Sequence, residues 1–145
     1  VDPLARECVY RSMHRVVSKV ILLNQRDQVV MAKVKRGFFT GHWTLPGGFV
    51  DYAEHPLEGA MREGFEELGV RVEISADDVV QIAERIFTSE GIKFLSFTYK
   101  CNVVDELTFK PKSDEIEEVR WFSFEEALAR AASLFDVEAL RSLHE

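Results

Sequence analysis

Apolar residues recur along the chain with two different periods, one typical of strands and one typical of helices. Six stretches are dominated by aliphatic, β-branched and aromatic side chains, several of them alternating with polar ones, and each stretch indicates a β-strand. Short polar turns separate two pairs of neighbouring stretches, and these pairs are predicted to form hairpins. The predicted strands span residues 16–23, 29–34, 70–74, 79–88, 92–104 and 116–122.

Residues 57–68 have the period of a helix that buries one face. Their apolar positions recur at intervals of three and four residues. Pro56 suits the first turn of such a helix, and Gly69 suits the left-handed residue that commonly ends one. The predicted inward stripe consists of Leu57, Ala60, Met61, Gly64, Phe65 and Leu68, and the remaining surface carries Glu58, Arg62, Glu63, Glu66 and Glu67.

Two shorter helices are predicted near the C-terminal end of the sequence. Ser123 and Glu126 have the spacing of a capping box, which opens a helix that continues to about residue 132. A further helix is predicted from about Asp136, with Val137, Leu140 and Leu143 facing inward. Because short strands alternate with helical segments, the pattern predicts an α/β fold in which helices cover both faces of a mixed sheet.

Three glutamates share one face of the central predicted helix. Glu63, Glu66 and Glu67 are spaced i, i+3 and i+4, so their carboxylates are neighbours near the C-terminal end, where the helix dipole disfavours negative charge. Like charges at such a distance repel by about 1 kcal/mol per pair in water. A divalent cation with oxygen ligands, such as Mg²⁺, would offset this repulsion. The alternative is a solvated acidic face that Arg62 partly neutralises.

The residues around this helix resemble the signature of the Nudix hydrolase family. The resemblance covers residues 48–70, where Gly48, Glu54 and the run Arg62-Glu63-x-x-Glu66-Glu67-x-Gly69-Val70 stand at the expected spacings. Residues 41–48 also look like the family's usual approach to this motif. One departure is Gly64, at a position where the family commonly has a larger aliphatic residue. It falls on the apolar stripe, so we expect it to affect helix packing more than metal ligation.

The resemblance implies both an architecture and a reaction. The architecture is a Nudix-type α/β/α sandwich with a mixed β-sheet, in which the motif forms a loop-helix-loop catalytic box. The reaction is pyrophosphate hydrolysis that depends on Mg²⁺ or Mn²⁺, because bound metal ions activate water and neutralise developing charge. The implied metal ligands are Glu63, Glu66, Glu67 and the carbonyl of Gly47, with Arg62 and Glu54 as a supporting pair.

The sequence leaves the general base open. Glu63 and Glu66 are candidates inside the box, and Asp114 and Glu115 are candidates on a distal loop. Glu117 and Glu118 alternate along the next predicted strand, where pairing with Lys or Arg is an equal alternative. The residues that we expect to serve catalysis are Glu63, Glu66, Arg62, Glu54 and Glu115.

A loop rich in cations and aromatic residues precedes the box and is predicted to bind the substrate. Lys35 and Arg36 suit contacts with phosphate, and Phe38 and Trp43 suit stacking on a base. The alternative is that the cations are solvated and the aromatic rings cover the sheet. The expected substrate is a nucleoside diphosphate linked to another moiety, such as ADP-ribose, followed by a nucleoside triphosphate.

Two other interpretations of the motif remain open. A catalytically silent Nudix-like domain would sense a nucleotide, although the intact glutamate set argues against it. A relative of isopentenyl diphosphate isomerase would need a catalytic cysteine beside the helix, and neither Cys8 nor Cys101 obviously serves. Release of phosphate-containing products separates a hydrolase from both.

Composition and net charge limit the classes of partner and the cellular compartment that we expect for the protein. The chain has 145 residues, of which 46% are hydrophobic and 30% charged, which predicts one globular domain. The resemblance implies that this is a Nudix domain over residues 1–145, with residues 1–15 as an N-terminal extension of open role. A net charge of −7 argues against a nucleic-acid polymer and fits a small phosphorylated metabolite bound through metal ions, which the resemblance implies is a small-molecule nucleotide. No signal peptide or long apolar segment is visible, so a cytoplasmic protein without membrane contact is expected. The family resemblance suggests a homodimer.

Overall fold

The computed structural model describes residues 2–5, 13–37, 39–87 and 91–144 of the chain. Cys8 therefore lies outside the described residues, as does part of the predicted N-terminal extension. Among the helices of the described part, none combines the length and apolar character needed to cross a bilayer. The strands are β1 (Arg15–Leu23), β2 (Gln28–Val34), β3 (Trp43–Thr44), β4 (Gly47–Phe49), β5 (Val79–Phe87), β6 (Ile92–Asn102) and β7 (Ile116–Ser123), and the helices are α1 (Pro56–Leu68), α2 (Phe124–Arg130) and α3 (Leu134–Ser142), with a 3₁₀ turn at Ala76–Asp78.

Strand β1 is the centre of a mixed sheet of seven strands within the described residues. It pairs in parallel with β6 along its whole length and in an antiparallel manner with the short strand β4. Both predicted hairpins are present, since β2 follows β1 and β6 pairs with β5. Strand β2 also pairs with β3 and β7, which lie on opposite sides of it, because Ala32 is the partner of both Thr44 and Val119. This topology places β4, which leads into the motif of residues 48–70, beside the most central strand.

The sheet is covered on both faces, as the sequence predicts. Side chains alternate along β1, so Val20 packs toward α1 while Ile21 packs toward the two C-terminal helices. The first face also buries Ala60 and Leu68 of α1. The second face buries Leu140 of α3. The chain therefore forms an α/β/α sandwich, and the uninterrupted apolar run in β1 reflects burial on both faces.

Helix α1 begins and ends at the predicted residues, but two side chains lie on unexpected faces. Gly69 ends the helix in the left-handed conformation with a φ of 73°. Phe65 is 40% exposed, and Glu67, predicted to be on the surface, is only 8% exposed. The reason is the helical period, because Glu67 stands seven residues after Ala60 and three after Gly64, both of which are buried. Phe65 falls at the margin of that stripe.

Residues 70–74 do not form the predicted strand. Val72 is buried, and its Cγ2 atom would be 2.8 Å from a Cβ at Gly64, so this segment packs against α1 instead of joining the sheet. The same contact supports the expectation that Gly64 concerns packing.

The two C-terminal helices differ from their predicted bounds. Helix α3 begins at Leu134 because the Oγ of Ser133, as its N-cap, accepts a hydrogen bond from the backbone of Asp136 at 3.2 Å. Helix α2 has the predicted Ser123 cap and ends at Arg130. Asp136 thus lies inside the first turn of α3 and does not begin it.

Candidate active site

Two consecutive glycines of β4 meet two glutamates of α1. The backbone N–H of Gly47 donates a hydrogen bond of 2.9 Å to Oε1 of Glu67. At Gly48, an added Cβ would be 2.7 Å from Oε1 of Glu63, so any larger residue would displace that carboxylate. The missing side chains let strand and helix approach closely. The two acidic side chains are therefore held against the first two residues of β4, where that strand pairs with β1.

Arg62 organises the carboxylates of the box. Its guanidinium binds Glu54 through two nitrogens, with Nη2 to Oε1 at 2.7 Å and Nε to Oε2 at 3.1 Å. It also donates to the carbonyl of Phe49 at 3.0 Å, which ties the helix to the end of β4. The remaining nitrogen, Nη1, reaches Glu63 at 3.0 Å and Glu66 at 3.4 Å. This planar fork suits two-point binding of a carboxylate, and the Arg62 hydrogen bonds hold the pKa of Glu54 below its ordinary value.

The inner carboxylates are electrostatically strained. Burial raises the pKa of Glu67 to about 8, although the hydrogen bond from Gly47 and the charge of Lys19 oppose this effect. Burial also raises the pKa of Glu63, against the opposing charge of Arg62. Glu63 and Glu115 contribute repulsion to Glu67. A positive charge placed among these groups would remove much of this strain.

The oxygen donors of the box fit a hard divalent cation in an open site. Among the described residues, no three His, Cys, Asp or Glu side chains converge on a ready-made metal cage. The donors present are carboxylates, which suit Mg²⁺ and Mn²⁺ better than soft metals. Mg²⁺ commonly keeps several water ligands and shares its coordination with substrate phosphates, so an open set of glutamates is compatible with it. Glu63, Glu66 and Glu67 are the residues that would hold it.

The distal loop between β6 and β7 is attached to the same helix. The backbone carbonyl of Glu66 accepts hydrogen bonds from the N–H groups of Lys112 at 2.8 Å and Ser113 at 2.9 Å. These contacts satisfy a carbonyl at the C-terminal end of α1. They bring the exposed side chain of Glu115 close enough for its charge to raise the pKa of both Glu63 and Glu67. Glu115 thus belongs to the electrostatic environment of the box.

The predicted substrate-binding residues of the loop before the box lie in two different environments, one exposed and one buried. Lys35 and Arg36 are exposed, and Arg36 forms an ion pair of 3.1 Å with Asp114 of the distal loop. Trp43 is only 8% exposed and packs edge-to-face on Phe122, with ring centroids 4.8 Å apart. The predicted stacking of Trp43 on a base is therefore wrong, since its ring is part of the core.

Other predicted site residues have structural roles or lie outside the described part of the chain. Phe38 is outside the described residues. Glu117 pairs with Lys33 at 3.6 Å, and Glu118 pairs with Arg120 at 2.9 Å, which is the structural alternative for both. The thiol of Cys101 lies 3.6 Å from the carbonyl of Glu73, and burial raises its pKa. This environment favours an inert thiol.

Sequence reasoning missed a buried ion pair behind the box. Asp136 is fully buried, and its Oδ1 accepts a hydrogen bond of 2.7 Å from the Nζ of Lys19. Its Oδ2 accepts a second bond, of 3.1 Å, from the backbone N–H of Leu45. The position of Asp136 after Ser133 resembles an ordinary acidic residue in a first helical turn, so local sequence gives no signal of the pair. The available signal is Lys19, a cation inside an apolar strand.

Comparison with known proteins gives the same architecture. Residues 13–143 match the family model described as the NUDIX domain. The chain is 34% identical over 103 residues to a MutT-like protein of Streptomyces ambofaciens, covering 71% of this chain but only 62% of that relative. It is 32% identical over 98 residues to the nucleoside triphosphatase NudI of Enterobacter sp. (strain 638), covering 62% and 67% of the two chains. The NUDIX domain of Shewanella oneidensis NrtR, in a cocrystal structure with ADP ribose, shares the fold with a TM-score of 0.77 at 15% identity, covering 99% and 92%.

Proposed function

The chain belongs to the Nudix hydrolase family, and we propose that it hydrolyses the pyrophosphate bond of a small nucleotide with Mg²⁺ or Mn²⁺. The observation that carries the proposal is the meeting of Glu63 and Glu67 with Gly48 and Gly47 of β4. This arrangement concentrates negative charge at one strand end, with Arg62 in direct contact with Glu63 as a compensating cation. It supports a site that gains stability when a divalent cation binds.

In the proposed site, some residues of the box bind the metal ion and others hold these ligands in position. Glu63, Glu66, Glu67 and the carbonyl of Gly47 are the proposed metal ligands. When bound, the divalent cation supplies activation of water and neutralisation of charge on the phosphate oxygens. The two-point pair of Arg62 with Glu54 supports a rigid orientation of Glu63 and Glu66, because Arg62 contacts both. Orienting contacts of this kind commonly change metal affinity or activity by about 10- to 100-fold when they are removed.

We assign the proton-accepting role to Glu115. Glu63 and Glu66 both accept hydrogen bonds from Arg62 and are proposed metal ligands, so their oxygens are already engaged, whereas Glu115 is exposed on the distal loop. Its influence on the pKa of Glu63 and Glu67 supports a location beside the ligands. A carboxylate there would take a proton from the attacking water.

The favoured substrate is a nucleoside diphosphate linked to another moiety, such as ADP-ribose, and a nucleoside triphosphate comes next. The ADP ribose bound by the NrtR domain supports the first, and the named activity of NudI supports the second. Lys35 and Arg36, exposed beside the distal loop, would contact the phosphates. Arginine suits this role because its fork matches two phosphate oxygens.

A substrate panel tests the proposal. The protein would be incubated with Mn²⁺ and ADP-ribose, nucleoside triphosphates, dinucleoside polyphosphates or NADH, and the products separated by chromatography. We expect cleavage of ADP-ribose to AMP and ribose 5-phosphate, with Glu106→Gln, a change on an exposed loop, as a matched control that keeps the activity. If a nucleotide raises the thermal stability of the protein but no product forms, the proposed hydrolase is refuted and the nucleotide-sensing domain is favoured.

A further inference from the structure

A buried charge pair connects the C-terminal helix to the strand beside the box. Asp136 of α3 is fully buried, and the side chain of Lys19 on β1 is 12% exposed. Removing two charges from water is costly, and their attraction does not generally repay that cost. A pair of apolar residues would fill the same place between sheet and helix. The retention of ions here therefore calls for a reason other than stability.

The pair holds the backbone that leads to the metal site. Leu45 donates its N–H to Asp136, and the next residue, Pro46, accepts a hydrogen bond of 2.9 Å from the N–H of Val20. Gly47 follows directly and is the strand partner of Lys19. A Cβ at Gly47 would be 2.6 Å from Cγ of Lys19, so the lysine stem and the glycine backbone are in direct contact. There is little room for either to move independently.

Gly47 transmits this restraint to the other face of the sheet. Its N–H donates to Glu67 of α1, while its carbonyl is a proposed metal ligand. Asp136 thus reaches Glu67 through Lys19, Leu45 and the Gly47 backbone, from α3 on one face to α1 on the other. The connection includes hydrogen bonds to backbone groups, and such bonds fix positions more strictly than apolar packing does.

We propose that Lys19 and Asp136 are positioning residues for the metal site, which set the backbone of Gly47 and thereby the carboxylate of Glu67. This inference rests on the proposed function, since it needs the box to bind a divalent cation. Neither residue is among the proposed metal ligands or substrate contacts. Their effect is on how well the oxygen donors are arranged before the cation arrives, a condition on which metal affinity depends.

Mn²⁺ binding to the metal-depleted full chain, measured by electron paramagnetic resonance, tests the inference apart from activity. Asp136→Asn keeps an oxygen for the N–H of Leu45 but weakens the bond to Lys19. The double change Lys19→Met with Asp136→Leu replaces the ions by apolar side chains and leaves no buried charge unpaired, so it serves as the second test variant if the single variant does not fold. We expect both to bind Mn²⁺ about 10-fold or more weakly, within the range for supporting residues.

Ser133→Ala is the matched control. It removes the cap of the same helix, and thus lowers thermal stability, without removing a contact to Lys19 or Leu45. We expect it to leave Mn²⁺ affinity unchanged. Unchanged Mn²⁺ affinity in the two test variants would overturn the inference. A loss of Mn²⁺ affinity that is proportional to the loss of thermal stability in all three variants, the control included, would also overturn it. A wild-type protein that binds no Mn²⁺ would instead refute the proposed metal site itself, and the inference with it.

Discussion

Glu67 combines burial with a negative charge that its protein neighbours do not fully compensate. It accepts one hydrogen bond from Gly47 and is repelled by Glu63 and Glu115. In the folded protein without a bound cation its pKa is about 8, compared with 4.5 as the ordinary value. Between these pH values the folded chain binds more protons than the unfolded chain, so the free energy of unfolding falls as the pH rises.

We therefore expect Glu67→Gln to stabilise the protein in EDTA at pH 8. The amide oxygen still accepts from Gly47, and the charge that costs free energy is gone. A difference of one pKa unit between the folded and unfolded chain corresponds to about 1.4 kcal/mol in the free energy of unfolding. We therefore expect Glu67→Gln to raise Tm by several degrees at pH 8, and this gain should shrink toward pH 5. Thermal denaturation at both pH values measures this. A gain that is the same at pH 5 and pH 8 would contradict the ionisation argument.

Arg62 offers a second test at the scale of one residue. Arg62→Lys keeps the charge but loses the planar fork that binds Glu54, Phe49 and Glu63 together. We expect kcat/KM to fall by about 10-fold or more, with a smaller change in Tm. Arg26→Lys, at an exposed turn, serves as the control in the same assay. Equal kcat/KM for Arg62→Lys and wild type would show that orientation by the fork is unimportant.

Helix α1 shows how packing overrides local preference. Glycine inside a helix costs roughly 1 kcal/mol relative to alanine. Gly64 is nevertheless buried in α1, where a Cβ would be 2.8 Å from Cγ2 of Val72. Val72 is β-branched and stiff, so it does not move aside easily. The glycine therefore serves the contact between α1 and residues 70–74.

The effect of Gly64→Ala should change sign between two backgrounds. Alone, it should destabilise the protein by about 1 kcal/mol or more, because an overpacked contact outweighs the gain in helix preference. In a Val72→Ala background the clash is absent, and the same change should stabilise by up to about 1 kcal/mol. Urea denaturation of the four proteins gives both values. The same sign in both backgrounds would argue against the contact.

The predictable elements are those whose signal is local. The bounds of α1 follow from Pro56 and Gly69, and the hairpins follow from alternation and polar turns. Residues 70–74 alternate as a strand does, yet Val72 packs on the helix. No local sequence pattern indicates that packing on α1 is preferred to pairing in the sheet. Asp136 resembles a helix start for the same reason, because the lysine that pairs with it lies far away in the sequence.

At the scale of the whole molecule, the site depends on pairing that the sequence does not encode locally. β4 spans only Gly47–Phe49, and its place beside β1 comes from antiparallel pairing with that strand, while β6 pairs in parallel on β1. Both contacts join residues distant along the chain. The motif could therefore identify the proposed ligand set, but not the restraint from α3 or the burial of Trp43. The homodimer stays a prediction, which light scattering would test.

The most direct measurement is the rate of ADP-ribose cleavage by metal-depleted protein as Mn²⁺ is added. We predict no cleavage in EDTA, a saturable rise with Mn²⁺ for wild type, and a loss of about 100-fold or more in Glu67→Gln, since a proposed ligand is removed. The Glu106→Gln control should follow wild type. Cleavage that persists in EDTA, or that Glu67→Gln retains in full, would contradict a metal-dependent reaction at this site.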